Sequence, residues 1–459
     1  MNRFFASFLI FTTIFSFSYL EGREICNPEF TLDTPTINFQ TTTDNDKRSV
    51  HVFFDGSLSM QGFVKNQPGQ KNLFVNVIDD LQQIAENVGN KTYYYRFGKT
   101  IKAMKEHEVV RVIKPSFYKC PEAATDCVLD NQETRLDLPF KATKIDEEAT
   151  YIIVTDLFIE NKQLVGGKLQ QITKPLKGIL KRGQSIGIIG VMNSFNGTIY
   201  GIPLSAGGTA SYSSAQLRPF YILVIGDQKN INRIKKNLEE QHFIDPEDNY
   251  KFSLITSTPV SQNLNINKKL TEDNINKISK AENFKFTYVD SNLPLYQFDT
   301  DKKRKIKFKI KKSEIIVPGS TGVSEYRIDD SLWSSNEVKC KKIIKNETWR
   351  SGKKENRSKA KPTDKELVVN ILDLKKLLRG FRYFYLVNVY AEKPGNLSEE
   401  TFKDWSISDP DAEAFKDQNP VEFKTLNLTK IIKILNSVAN ESFKPTLIAS
   451  IALDFNLIK

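Results

Sequence analysis

Apolar residues in the first half of the chain follow two patterns that alternate. Short runs at 50–54, 151–154 and 220–225 are nearly continuous in β-branched, aromatic and aliphatic residues. Such runs read as strands buried on both faces. Between them the apolar positions are spaced helically. Phe74, Val77, Ile78, Leu81, Ile84 and Ala85 fall on one face of a helix over 73–88, and Gly89 stands where it should end. Residues 92–97 and 184–192 add strands, the second with Gly187 and Gly190 for close packing. Residues 164–180 and 231–240 add helices, the first interrupted by Pro175. Alternating apolar strands and amphipathic helices predict an α/β fold, a doubly wound, mostly parallel sheet covered on both faces. Residues 196–217, rich in Gly, Ser and Tyr, read as a long loop, either a binding loop with a modest recognition role or a flexible insertion.

The pattern changes past residue 250. At 284–289 and 305–311 apolar and polar residues alternate, with Ile306, Phe308 and Ile310 set between lysines. That period belongs to half-buried strands of an antiparallel sheet. The lysine face is expected to be solvated, or to guard a sheet edge, rather than to dock an anionic surface. Further strands are predicted at 367–372 and 383–390, and a short helix at 427–438. Residues 339–361 are basic and poor in apolar side chains, and read as an exposed loop. The region 250–459 is thus expected to be a β-rich α+β domain following the α/β domain at 48–245. It carries no catalytic motif and no internal repeat.

A chain of 459 residues predicts two or three domains. Its net charge of +11 is spread among many residues of both signs, which argues against a nucleic-acid reader. Asn2 and Arg3 precede an apolar stretch at 4–17 that is short for a membrane span. Residues 1–22 are therefore expected to be an export signal, cleaved near Ser16–Ser18 or near Gly22, with a retained anchor as the alternative. Residues 23–47 read as a polar linker. No later stretch is apolar enough to span a bilayer, so a secreted, periplasmic or cell-surface protein is expected. In such a compartment Cys120 and Cys127 close a short loop as a disulfide. Cys26 and Cys340 remain, to pair with each other or with Cys26 lipidated. Cysteine spacing and only three histidines, His51, His107 and His242, argue against zinc.

The candidate chemistry lies where the first apolar run stops. Asp55 ends it, and Ser57 and Ser59 follow at alternate positions. One carboxylate and two hydroxyls at the carboxyl edge of a strand stand where α/β sheets bind ligands. Hard oxygens in that place suit Mg²⁺. A plainer account exists for each residue alone: Asp55 caps a following helix, the serines bond to local backbone, and Asp156, ending the run at 151–154, is a turn residue.

Taken together, residues 55–59 and the second strand ending at Asp156 resemble the metal-ion-dependent adhesion site of von Willebrand factor A (VWA) domains. The resemblance covers the N-terminal half only. It implies that Asp55, Ser57, Ser59, Thr134 and Asp156 hold Mg²⁺ or Mn²⁺, directly or through water, with Thr125 the alternative to Thr134. It also implies that a protein partner's Asp or Glu completes the metal's coordination, in adhesion or extracytoplasmic complex assembly, without catalysis. Two departures stand out: Leu157 replaces the family's usual glycine, and Pro139 shortens the helix after Thr134. Two other classes stay open, a metal-free structural assembly component and a metal-dependent phosphoesterase. The last lacks a His base, an activated Cys or a Lys pair near either aspartate in sequence.

Overall fold

In the computed structural model the apolar runs become the centre of one seven-stranded sheet. Described are residues 48–65, 72–119, 134–158, 167–203, 209–214, 217–242, 249–257, 282–290, 293–300, 305–311, 323–336, 344–345, 359–362, 366–373, 379, 381–395, 397–407 and 424–457. The expected export signal, the linker and all four cysteines lie outside them, as do Thr125 and most of 339–361.

The first half contains strands β1 (Ser49–Asp55), β2 (Lys91–Phe97), β3 (Ile101–Met104), β4 (Thr150–Thr155), β5 (Ser185–Ser194), β6 (Gly197–Pro203), β7 (Thr209–Ser214), β8 (Leu217–Gly226) and β9 (Tyr250–Ile255). Its longer α-helices are α1 (Leu73–Val88), α2 (Asp137–Ala142), α3 (Gly167–Lys181) and α4 (Gln228–His242). The sheet order is β3-β2-β1-β4-β8-β5-β9, and β6 and β7 pair outside it as a hairpin. The sheet therefore runs past residue 245, where its domain was expected to end.

Strand periodicity divides the core. Val50, Val52 and Phe54 of β1, with Ile152 and Val154 of β4, face α1 and α4. Phe53, Tyr151 and Ile153 point to the other face, against α3. α1 begins at an Asn72 cap, whose Oδ1 accepts the Val75 N–H at 3.2 Å, and ends where the Gly89 N–H reaches Ala85 O at 2.9 Å. α3 keeps Pro175 within it. A helix from the far end of the chain, α5 (Leu428–Ser442), joins the second face. Leu428, Ile431, Ile432 and Leu435 share a cluster with Ile172 and Leu176 of α3, together with Phe402 and Trp405. Burying each such side chain is worth about 1.5–3 kcal/mol, so this late segment is part of the first domain's core.

The sheet is mixed, and only β2, β1 and β4 are parallel neighbours. β8 enters between β4 and β5, antiparallel to both, and β9 is antiparallel to β5. The difference from a mostly parallel sheet has a local cause. β6 and β7 pair antiparallel as a hairpin in place of a simple loop. A connection without a helical crossover returns the chain antiparallel.

The rest of the chain is β-rich, as expected. Its strands are β10 (Glu282–Asp290), β11 (Leu293–Thr300), β12 (Lys305–Lys311), β13 (Val323–Asn336), β14 (Ile344–Lys345), β15 (Lys359–Pro362), β16 (Glu366–Asp373), β17 (Phe381–Pro394), β18 (Ser406–Ile407), β19 (Thr425–Leu426) and β20 (Thr446–Leu457). A six-stranded sheet has the order β10-β11-β20-β17-β13-β14, and a three-stranded one β12-β16-β15. Tyr385, Val387, Val389 and Ala391 of β17 alternate on its buried side.

Candidate functional site

β1 and β4 are parallel and in register, Phe54 opposite Val154, so Asp55 and Asp156 leave the sheet at the same carboxyl edge. Both aspartates are about 1 % exposed. Beyond Asp55 the chain turns sharply. The Asp55 Oδ1 accepts the Ser57 N–H at 2.9 Å, and the Gly56 N–H donates to Phe97 O at 2.7 Å. Arg96 Nη2 donates to Gly56 O at 3.2 Å, fixing the turn to the end of β2. Ser57 precedes a helical turn, but its hydroxyl makes no cap hydrogen bond. It lies 3.1 Å from the Ser59 hydroxyl instead.

Thr134 comes from the segment before α2. Its hydroxyl donates to Asp55, 3.3 Å from Oδ2 and 3.4 Å from Oδ1. The structure thus brings Asp55, Ser57, Ser59 and Thr134 into one cluster, with Asp156 beside it. Burial pushes the Asp55 carboxyl up to about 7, and the charge of Asp156 adds to the rise. The Ser57 N–H and the Thr155 hydroxyl act the other way.

Two contributors escaped the sequence reading. Thr155, one residue before Asp156, donates to Asp55 Oδ2 at 2.7 Å, and its hydroxyl also accepts the Leu157 N–H at 3.2 Å. Arg218 is the second. It is fully buried and donates from Nη2 to Asp156 Oδ2 at 3.1 Å. Asp156 Oδ1 accepts the Phe158 N–H at 3.1 Å. Among the described residues the Arg218 Nε and Nη1 are buried without a hydrogen-bond partner. Its guanidinium is instead flanked by the rings of Phe195, Phe158 and Phe63, at 5.1, 5.6 and 5.9 Å from their centroids. Burial works against the arginine's charge and Asp156 supports it. An arginine heading an otherwise apolar strand was the available signal. Its meaning depended on strand direction, because only an antiparallel β8 begins at the edge where β4 ends.

Comparison with family models, with curated proteins and with solved structures finds no match.

The geometry also accounts for Leu157. Its φ is +49°, in the left-handed region that favours glycine, and its side chain is buried among Phe53, Leu136 and Phe140. The turn after Asp156 therefore keeps a glycine-like backbone while its side chain anchors the loop in the core. Pro139 sits inside the short α2.

On the opposite side the β6–β7 hairpin closes against the serine turn. The Asn196 N–H donates to Gly62 O at 2.8 Å, and a Cβ placed on Gly197 would lie 2.6 Å from Gly62 Cα. Among the described residues no group of three or more His, Cys, Asp or Glu side chains is gathered. A cation here would therefore depend on the hydroxyls as well as the aspartates. Nor, among those residues, is any helix long and apolar enough to cross a membrane. Cys120 and Cys127, expected to pair, lie outside the described residues.

Proposed function

We propose that this chain is an exported VWA-like protein whose N-terminal domain binds a divalent cation and, through it, an acidic side chain of a partner protein. The convergence of Asp55, Ser57, Ser59 and Thr134 at the carboxyl edge of β1, beside Asp156, is the observation that supports it. The donor set fits Mg²⁺ or Mn²⁺, since all five groups offer hard oxygen. Asp55 and Asp156 repel each other in a buried place, and a cation between or beside them relieves that repulsion. Asp55, Ser57, Ser59 and Thr134 would hold the ion, with Asp156 acting directly or through water. The bound cation would supply positive charge for the partner's Asp or Glu. The protein's own task is to position the hydroxyls: the turn at Gly56 and the Thr134 contact with Asp55 aim them at one place.

The test is calorimetric titration of Mg²⁺ and Mn²⁺ into the chelator-treated full chain, with Asp55→Ala alongside. Saturable binding that disappears in the variant is expected. A folded protein that takes up neither ion would overturn the reading. One observation favours a second reading, a metal-free assembly component. The buried Arg218 already neutralises Asp156. In that case partner binding would survive both chelator and Asp55→Ala.

A further inference from the structure

We infer that Arg218 is a built-in counter-cation that occupies Asp156 and thereby weakens the cluster's hold on a divalent cation. The inference rests on the metal-binding reading above. It begins with topology: the antiparallel β8 delivers Arg218 to the carboxyl edge of β4, with Tyr221 in register with Thr155. There the guanidinium and the Asp156 carboxylate, each about 1 % exposed, meet at 3.1 Å. Asp156 Oδ2 is committed to Arg218 and Oδ1 to the Phe158 N–H. Among the described residues Asp55 has no such cation beside it. Its partners are the Ser57 N–H and the hydroxyls of Thr155 and Thr134.

The charge sum follows. Two aspartates alone would offer an incoming ion two negative charges, and Arg218 cancels one of them. A dication also meets the guanidinium's own repulsion at short range, in surroundings where screening is poor. Arg218 is not readily displaced. Its nitrogens are walled by Phe63, Phe158 and Phe195, and leaving would strand Asp156 unpaired in a buried position. The free protein is therefore a low-affinity cation binder. A partner's carboxylate restores the missing negative charge, so cation and partner bind cooperatively.

The experiment is Mn²⁺ binding to the full chain, read by the loss of the free-ion electron paramagnetic resonance signal and by calorimetry. Arg218→Met is expected to bind Mn²⁺ about tenfold more tightly or better, while Arg218→Lys stays near the parent. Since Arg218→Met leaves Asp156 unpaired in a buried position, Arg218→Gln, a neutral side chain that can still donate to Asp156, is measured too. It is expected to bind Mn²⁺ more tightly than the parent as well, since it too removes the guanidinium's charge. Parent binding with neither Arg218→Met nor Arg218→Gln tighter overturns the inference and leaves the metal-binding reading standing. Binding by Arg218→Met but not by the parent supports the inference while removing the free-protein metal site. No binding by any form, all folded, ends both.

Discussion

Replacing Leu157 by glycine sets two effects of opposite sign against each other at the turn after Asp156. At φ +49° a leucine carries the cost of the left-handed region, about 1–2 kcal/mol, which glycine does not bear. That term favours the variant. Against it stands the side chain, about 1 % exposed in the cluster with Phe53, Leu136, Phe140, Tyr151 and Ile153. Removing a buried leucine costs about 3–5 kcal/mol once the cavity is counted. The added freedom of glycine in the unfolded chain costs about 0.5–1 kcal/mol more. Burial wins, and Leu157→Gly is expected to be less stable by about 2–4 kcal/mol. Urea unfolding followed by tryptophan fluorescence measures this, with Trp405 in the same cluster as the reporter. A variant as stable as the parent would refute the reasoning. It would mean either that the left-handed turn stores far more strain than its φ suggests, or that the loop repacks without a cavity.

Other expectations are simpler. Gly197→Ala forces a methyl to within 2.6 Å of Gly62 Cα, a backbone atom that cannot rotate away, and should lower stability by about 1–3 kcal/mol in thermal unfolding. Thr155→Val keeps its shape but removes the 2.7 Å hydrogen bond to the buried Asp55, so a loss of about 1.5–3 kcal/mol is expected in urea. Trp405→Ala should shift the whole α/β unfolding transition by about 3–5 kcal/mol; a shift below about 1 kcal/mol would show that residues 397–407 are not part of that core. Asp137 gives an acid-dependent term. Burial alone would raise its carboxyl, but hydrogen bonds and charge from Arg135 and Lys141 hold it below the usual range. A carboxylate held low stabilises the fold above its unfolded pKa of about 3.9, and this is lost as pH falls through the lower folded value. Asp137→Asn should therefore melt below the parent at pH 7, and the two curves should converge toward acid.

Much of the first domain is written in local pattern. The limits of α1 follow from its apolar stripe, the Asn72 cap and Gly89, because all three act within a few residues. The ends of β1 and β4 are legible for the same reason, and they locate Asp55 and Asp156. Thr134 was readable only beside Thr125, and its contact with Asp55 spans 79 residues that no local signal bridges. What sequence could not show is strand direction. The all-apolar run at 220–225 looks alike whether parallel or antiparallel, and with direction went the place of Arg218. The docking of α5 onto α3 was hidden too, since an amphipathic helix declares an apolar face without naming the surface that covers it.

The hydrogen bond from Thr155 to Asp55 joins residues 100 positions apart, whereas β5 and β8 are linked through a single hairpin. This sets an order of assembly. Closing a long loop costs chain entropy before any long-range contact repays it, so the β5–β8 arm has the kinetic advantage and the β1–β4 pairing comes late. Arg218 then waits on a preformed edge for Asp156 to arrive, and the oxygen cluster exists only once the topology is complete. A nascent or partly folded chain would carry the serines and aspartates but no site, so the cation binding we propose would report finished folding.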